Sequence, residues 1–114
     1  MSGLMHANED FLRLLLTTES KQQKALIENI TTSQIDCLSE IFHNLAYVVE
    51  LEPEQYNFMK RRKKIIKELS QVHRCRKFRK GAIQKHSLHM LKILDQVKGD
   101  LLHQLRNETP SPTH

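Results

Sequence analysis

The chain has 114 residues, 39% of them hydrophobic, a formal net charge of +5, three Gly, three Pro, two Tyr and no Trp. That length suits one domain with a modest core. No apolar run approaches the roughly 18–20 residues of a membrane span, which excludes a transmembrane helix. Strand-like alternation is scarce and apolar residues recur at helical spacing. The expected fold is therefore an all-α, compact small bundle of about five helices, with dimerisation open.

Residues 1–8 read as a flexible leader. Glu9–Leu16 starts a short helix, with Glu9 and Asp10 in the first turn where the helix dipole favours acids. Thr17–Ser20 is a break, and Ser20 suits the N-cap of a second helix ending near Asn29, with Ala25, Leu26 and Ile30 apolar. Thr31 and Gln34 have capping-box spacing, although Thr31, Thr32 and Ser33 can each serve as the cap. Ile35, Leu38, Ile41, Phe42, Leu45, Val48 and Val49 then recur at threes and fours. They predict a central core helix over 33–49.

Pro53 suits the first turn of the next helix, expected to run unbroken to about Gln71. Its apolar stripe is Tyr56, Met59, Ile66 and Leu69, with Phe58, Ile65 and Val72 at the margins. Lys60–Lys64 wraps this helix in charge, so one or two stems must run past apolar surface to reach water, Arg62 being assigned that place. His73–Lys80 reads as a turn or short helix, and Gly81 as a break. A last helix over 87–106 carries Met90, Leu91, Leu94, Val97, Leu101 and Leu105, weakened by Gly99. Residues 107–114, rich in Pro, Ser and Thr, read as a disordered tail.

The positive charge is concentrated. Twelve of the 18 Lys and Arg residues lie between Lys60 and Lys85 against one acid, Glu68, so this window carries +11. Residues 1–59 carry −6, and 86–114 are neutral. So basic a window attracts polyanions, above all nucleic acid. Lys60, Arg61, Lys63, Lys64, Lys67, Arg74, Arg76, Lys77, Arg79 and Lys80 are the expected phosphate contacts. Nothing in the window supplies a base-reading code, so binding should be sequence-non-specific and driven by counterion release. DNA is the favoured polyanion. The acidic first half offers a second destination for these cations, in the same chain or in another copy.

Competing readings are weaker. The two clusters also resemble a nuclear localisation signal, compatible with nucleic-acid binding in the nucleus. Cys37 and Cys75 lie far apart with no apolar leader, which reads as an intracellular chain with reduced thiols. Cys37 is expected in the core and Cys75 partly exposed. His73, Cys75, His86, His89, His103 and Cys37 contain no C-x-x-C pair, so no metal or other cofactor is expected. Glu40 and His43 make a surface pair, and no catalytic motif is present, so neither an enzyme nor a small-molecule substrate is expected. A basic amphipathic helix can lie on anionic lipid, but Ile65, Ile66 and Leu69 read as core. The principal alternative is a protein-interaction module. In that reading the acidic 1–54 region and the last helix, through Met90, Leu94, Val97, Leu101 and Leu105, would mediate self-association or bind a partner.

Several ordered segments resemble a known family. They are Phe11–Thr18 (FLRLLLTT), Gln23–Gln34 (QKALIENITTSQ), Leu38–Leu45 (LSEIFHNL), Leu51–Gln55 (LEPEQ), the cationic Met59–Leu69 and the basic Arg74–Lys80 ahead of a Leu-rich helix. Together they resemble the short basic proteins encoded by Polinton/Maverick transposons and the related adintoviruses, over residues 11–95. The resemblance implies a DNA-coating or condensing role inside a capsid, by analogy with the basic core proteins of adenovirus-like particles. The chain departs from that pattern at Glu52, where Ser or Thr often precedes the Pro. It also has a Pro/Ser/Thr tail in place of a Gly/Ala-rich apolar end.

Overall fold

The computed structural model describes residues 3–47, 50–71 and 74–107. Among them there are nine helices and no strand: α1 (Gly3–Ala7), α2 (Glu9–Thr17), α3 (Ser20–Glu28), α4 (Thr32–Tyr47), α5 (Pro53–Arg61), α6 (Lys63–Leu69), α7 (Arg76–Lys85), α8 (Ser87–Gln96) and α9 (Lys98–Asn107). The protein is an all-α small bundle with a radius of gyration of 13.7 Å, the size of a compact domain. No described helix is long and apolar enough to cross a membrane. Val48, Val49, Val72, His73 and the expected tail over 108–114 lie outside the described residues.

The central helix follows from its sequence. Thr31 is its cap: the Gln34 backbone N–H donates to Thr31 Oγ1 at 3.2 Å, and the Thr31 N–H donates to Gln34 Oε1 at 2.9 Å. This reciprocal pair satisfies two donors that a helix start leaves open. Ile35, Leu38, Ile41 and Phe42 are all buried on one side of α4, as the spacing of threes and fours requires. Helices α1, α6 and α7 pack against α4, and α2 reaches α9, so the two ends of the chain close one core.

The leader is a correction. Residues 3–7 form α1, and Met5 is buried. Asn8 bends the chain into α2 with φ −114° and ψ 25°. Its buried amide donates to Leu4 O at 2.8 Å and Ser33 Oγ at 2.9 Å, tying the bend to the start of α4. Ser20 is the first residue of α3, and the cap position falls to Glu19.

The long helices are also corrections. The segment after Pro53 is bent at Arg62 (φ −112°, ψ 21°), and the segment after Ser87 at Val97 (φ −111°, ψ 11°). Bending shortens each rod so that both halves can lay an apolar side on a small core. The backbone cost at Arg62 is offset locally. Its N–H bonds Met59 O at 2.9 Å, and its guanidinium donates to Phe58 O at 3.0 Å. The side chain thus supplies the bond that the bent backbone withholds from Phe58. The guanidinium carbon also lies 3.6 Å from the centroid of the Phe58 ring, a cation–π contact.

Gly81, expected as a break, lies inside α7. Ala82 and Ile83 are buried beside it, and that burial outweighs the roughly 1 kcal/mol a helical Gly costs relative to Ala. A Cβ built on Gly81 meets nothing within 4 Å. Gly81→Ala should therefore raise stability by about 0.5–1 kcal/mol in urea unfolding; a loss of stability would contradict this helix.

Cys37 is fully buried, and burial, helped by the nearby Glu40 charge, pushes its thiol up from 9.0 to about 12. Between these values the unfolded chain ionises Cys37 while the folded chain cannot. The thiol therefore makes stability fall as pH rises above about 9. At pH 10 the loss from this group is roughly 1.4 kcal/mol. Unfolding of the native chain and of Cys37→Ala from pH 8 to 10 isolates it: the native chain should lose more stability by about that amount.

Candidate nucleic-acid interface

The two basic clusters sit on neighbouring helices. Lys63, Lys64 and Lys67 are on α6, with Lys60 and Arg61 at the end of α5, while Arg76, Lys77 and Lys80 are on α7. Helices α6 and α7 touch each other, and both pack on α4. Each is two-sided. Ile66 and Leu69 bury one side of α6, and Ala82 and Ile83 one side of α7. The cations occupy the remaining turns and are exposed.

Little negative charge is left to neutralise them. Glu68, the one acid of the window, is engaged by His86, with Oε2 and Nε2 2.6 Å apart. Asp36 on α4 takes two cations of α7: Arg79 Nη1 at 2.7 Å and, more loosely, Arg76 Nη2 at 3.7 Å. The acidic first half thus meets the basic window within the same chain, at one residue among those described. Lys60, Arg61, Lys63, Lys64, Lys67, Lys77 and Lys80 enter no ion pair among the described residues. Arg74 is exposed beside the Phe78 ring, its guanidinium carbon 4.1 Å from the centroid.

Arg79 is a correction. It was expected to face phosphate, yet it is only 8% exposed. Besides the Asp36 pair, its Nε donates to Arg74 O at 3.1 Å and its Nη1 lies 3.4 Å from Ser39 Oγ. A guanidinium spent on a half-buried carboxylate and two oxygens anchors α7 to α4 and does not reach a ligand. Arg62, half-buried on Phe58, occupies the packed position expected of one residue in this run.

The proposed oligomerisation stripe is a second correction. Met90, Leu94, Val97, Leu101 and Leu105 are all buried in the chain's own core. A core this small draws in most of the leucines that the last two helices offer. What they leave outside is Leu88, 66% exposed. It lines a groove of about 750 Å³ with Ile27 and Leu91.

Two residues escaped the sequence reading. Tyr56 was expected in the apolar stripe of its helix, but it is 56% exposed, because the bend at Arg62 changes the register that joined it to Ile66. Tyr47, the last residue of α4, is 61% exposed, with its ring centroid 5.0 Å from that of His43. These are the only two tyrosines of the chain. They line one groove of about 410 Å³ together with Lys60, Lys63 and Lys67. The interleaving of Tyr with Lys was available in the sequence, but the spacing of Tyr56 pointed inward.

Cys75 is exposed at the start of α7, and Cys37 is buried. No three His, Cys, Asp or Glu side chains among the described residues come together as a metal site. No family model matches the chain, and no curated protein or solved structure matches it either.

The division of labour among the arginines is testable. Arg79→Met should lower stability by about 2–4 kcal/mol, because it strips Asp36 of its close partner. Where the variant remains folded, the salt dependence of any polyanion binding should stay at the native slope. A reduced slope in folded Arg79→Met would place this side chain among the ligand contacts after all.

Proposed function

We propose that this protein binds nucleic acid, DNA in the first place, through its phosphate backbone and without sequence preference. The observation that carries the reading is the set of seven exposed cations, Lys60, Arg61, Lys63, Lys64, Lys67, Lys77 and Lys80, that enter no ion pair among the described residues, on helices that touch. Arg74 and Arg76 border the same helices. Holding like charges on adjacent helices costs stability through repulsion, and a polyanion relieves that cost. Each phosphate neutralised releases condensed counterions, which is the driving force for such binding.

The likeness of residues 11–95 to the small basic proteins of Polinton/Maverick elements and adintoviruses supports a particular setting. In that setting the chain coats or condenses a viral or transposon genome, in the nucleus or inside a capsid. The cationic segments Met59–Leu69 and Arg74–Lys80 are the part of that likeness bearing on DNA. The alternative, a module that binds protein through its acidic 1–54 region and its leucine-rich last helix, is weakened at the second surface, since Met90, Leu94, Val97, Leu101 and Leu105 are interior.

The deciding measurement is binding to labelled duplexes of unrelated sequence between about 50 and 200 mM salt. About six phosphate contacts predict a loss of affinity of roughly 10³-fold over that range, in parallel for all sequences. Replacing Lys60, Arg61, Lys63 and Lys64 by Gln should reduce the slope of log K against log salt by roughly 3–4. Binding that is absent at 50 mM, or indifferent to salt, would overturn the proposal.

A further inference from the structure

The groove beside the lysines has the chemistry of a nucleotide and not only of a phosphate. Its walls are Leu45, Ala46 and Tyr47 at the end of α4, Leu51, then Tyr56 and Met59 on α5 and Ile66 on α6. Lys60, Lys63 and Lys67 line it as well, and none of its described lining side chains is acidic. Both tyrosines are more than half exposed. An exposed ring beside apolar side chains offers a stacking surface, and the adjoining lysines offer charge to an anion. A ligand that fills such a site is flat and aromatic at one end and anionic at the other. At about 410 Å³ the groove is within the range of small-molecule sites.

We infer that this groove takes an unpaired nucleobase, stacked on Tyr47 or Tyr56, while Lys60, Lys63 and Lys67 hold the flanking phosphates. The inference rests on the proposed nucleic-acid function and specifies its substrate. Bases within a duplex are stacked on one another and cannot enter, so the groove selects single strands. Arg61, Lys64, Lys77 and Lys80, which do not line the groove, serve backbone of either form. Any base has a π-face, so this mode adds affinity without reading sequence.

The test uses the full chain with a 20-nucleotide oligothymidylate, an abasic strand of the same length and a 20-base-pair duplex, all at one salt concentration. The oligothymidylate should bind at least roughly tenfold more tightly than the abasic strand, which keeps the phosphates and lacks the bases. The double variant Tyr47→Ala/Tyr56→Ala should lose roughly tenfold or more on oligothymidylate and little on duplex. Tyr47→Phe/Tyr56→Phe should retain native affinity. With no Trp and only these two Tyr, the intrinsic fluorescence reports on the groove alone, and oligothymidylate should quench it. If the alanine variant fails to fold, the abasic comparison and the quenching decide the matter with the native chain. Equal binding of abasic and thymidine strands, with unquenched fluorescence, would overturn the groove assignment and leave phosphate binding standing. No binding to any of the three at low salt would overturn both.

Discussion

The contact on which the arrangement depends is the pairing of Arg79 with Asp36. Helix α7 carries Arg76, Lys77, Arg79 and Lys80, and a helix so charged has little apolar surface with which to dock. Arg79 resolves this by turning inward. Its guanidinium meets Asp36 at 2.7 Å and bonds the Arg74 carbonyl. One arginine of the basic cluster is thereby converted from repulsive charge into an anchor to α4. Because α6 packs on the same central helix, the anchor also brings the two basic segments side by side. Breaking such a pair strands a carboxylate at the interface, which is why its removal costs more than its formation contributes.

The second constraint is size. A chain of this length closes a core only if nearly every large apolar side chain reaches it. Straight helices of twenty residues would carry some of them past the core edge. The chain instead bends at Asn8, Arg62, His86 and Val97, each with φ near −100° to −115° and ψ between 11° and 25°. None of these residues is glycine, and no described residue has positive φ. Three of the four bends are held by side chains: Asn8 bonds Ser33, Arg62 covers Phe58, and His86 meets Glu68. Glu68 therefore has a structural use, its Oε2 held by His86.

Core formation and ligand chemistry meet at the Arg62 bend. It allows Met59 and Ile66 to be buried while Tyr56 is left outside. The same bend sets Lys60, on one side, and Lys63 and Lys67, on the other, along one groove with both tyrosines. In the proposed function these lysines serve backbone phosphate, and the inferred stacking surface lies where the cationic helix meets the end of the central one. The polar and aromatic parts of such a site come from one local distortion.

Much of this was legible in the amino-acid sequence. The helical class follows from apolar spacing. The Thr31–Gln34 cap, the start at Pro53, the burial of Cys37 and the exposure of Lys60, Arg61, Lys63 and Lys64 follow from rules acting within a few residues. Four things did not follow: the helix at residues 3–7, the bends within the two long segments, the inward turn of Arg79 and the outward turn of Tyr56. The first and third depend on partners distant in sequence, Ser33 and Asp36, and the other two on how the bent segments meet the core. Arg79 resembles its basic neighbours until Asp36, more than forty residues earlier, is brought against it. Met90, Leu94, Val97, Leu101 and Leu105 form a stripe that fits a partner chain as well as it fits this one. Only closure of the core, with α8 against α5, α6 and α7 and α9 against α2, assigns it inward. Local periodicity specifies which residues share a face, whereas tertiary packing decides what that face meets, because burial and charge pairing are settled between elements and not within them.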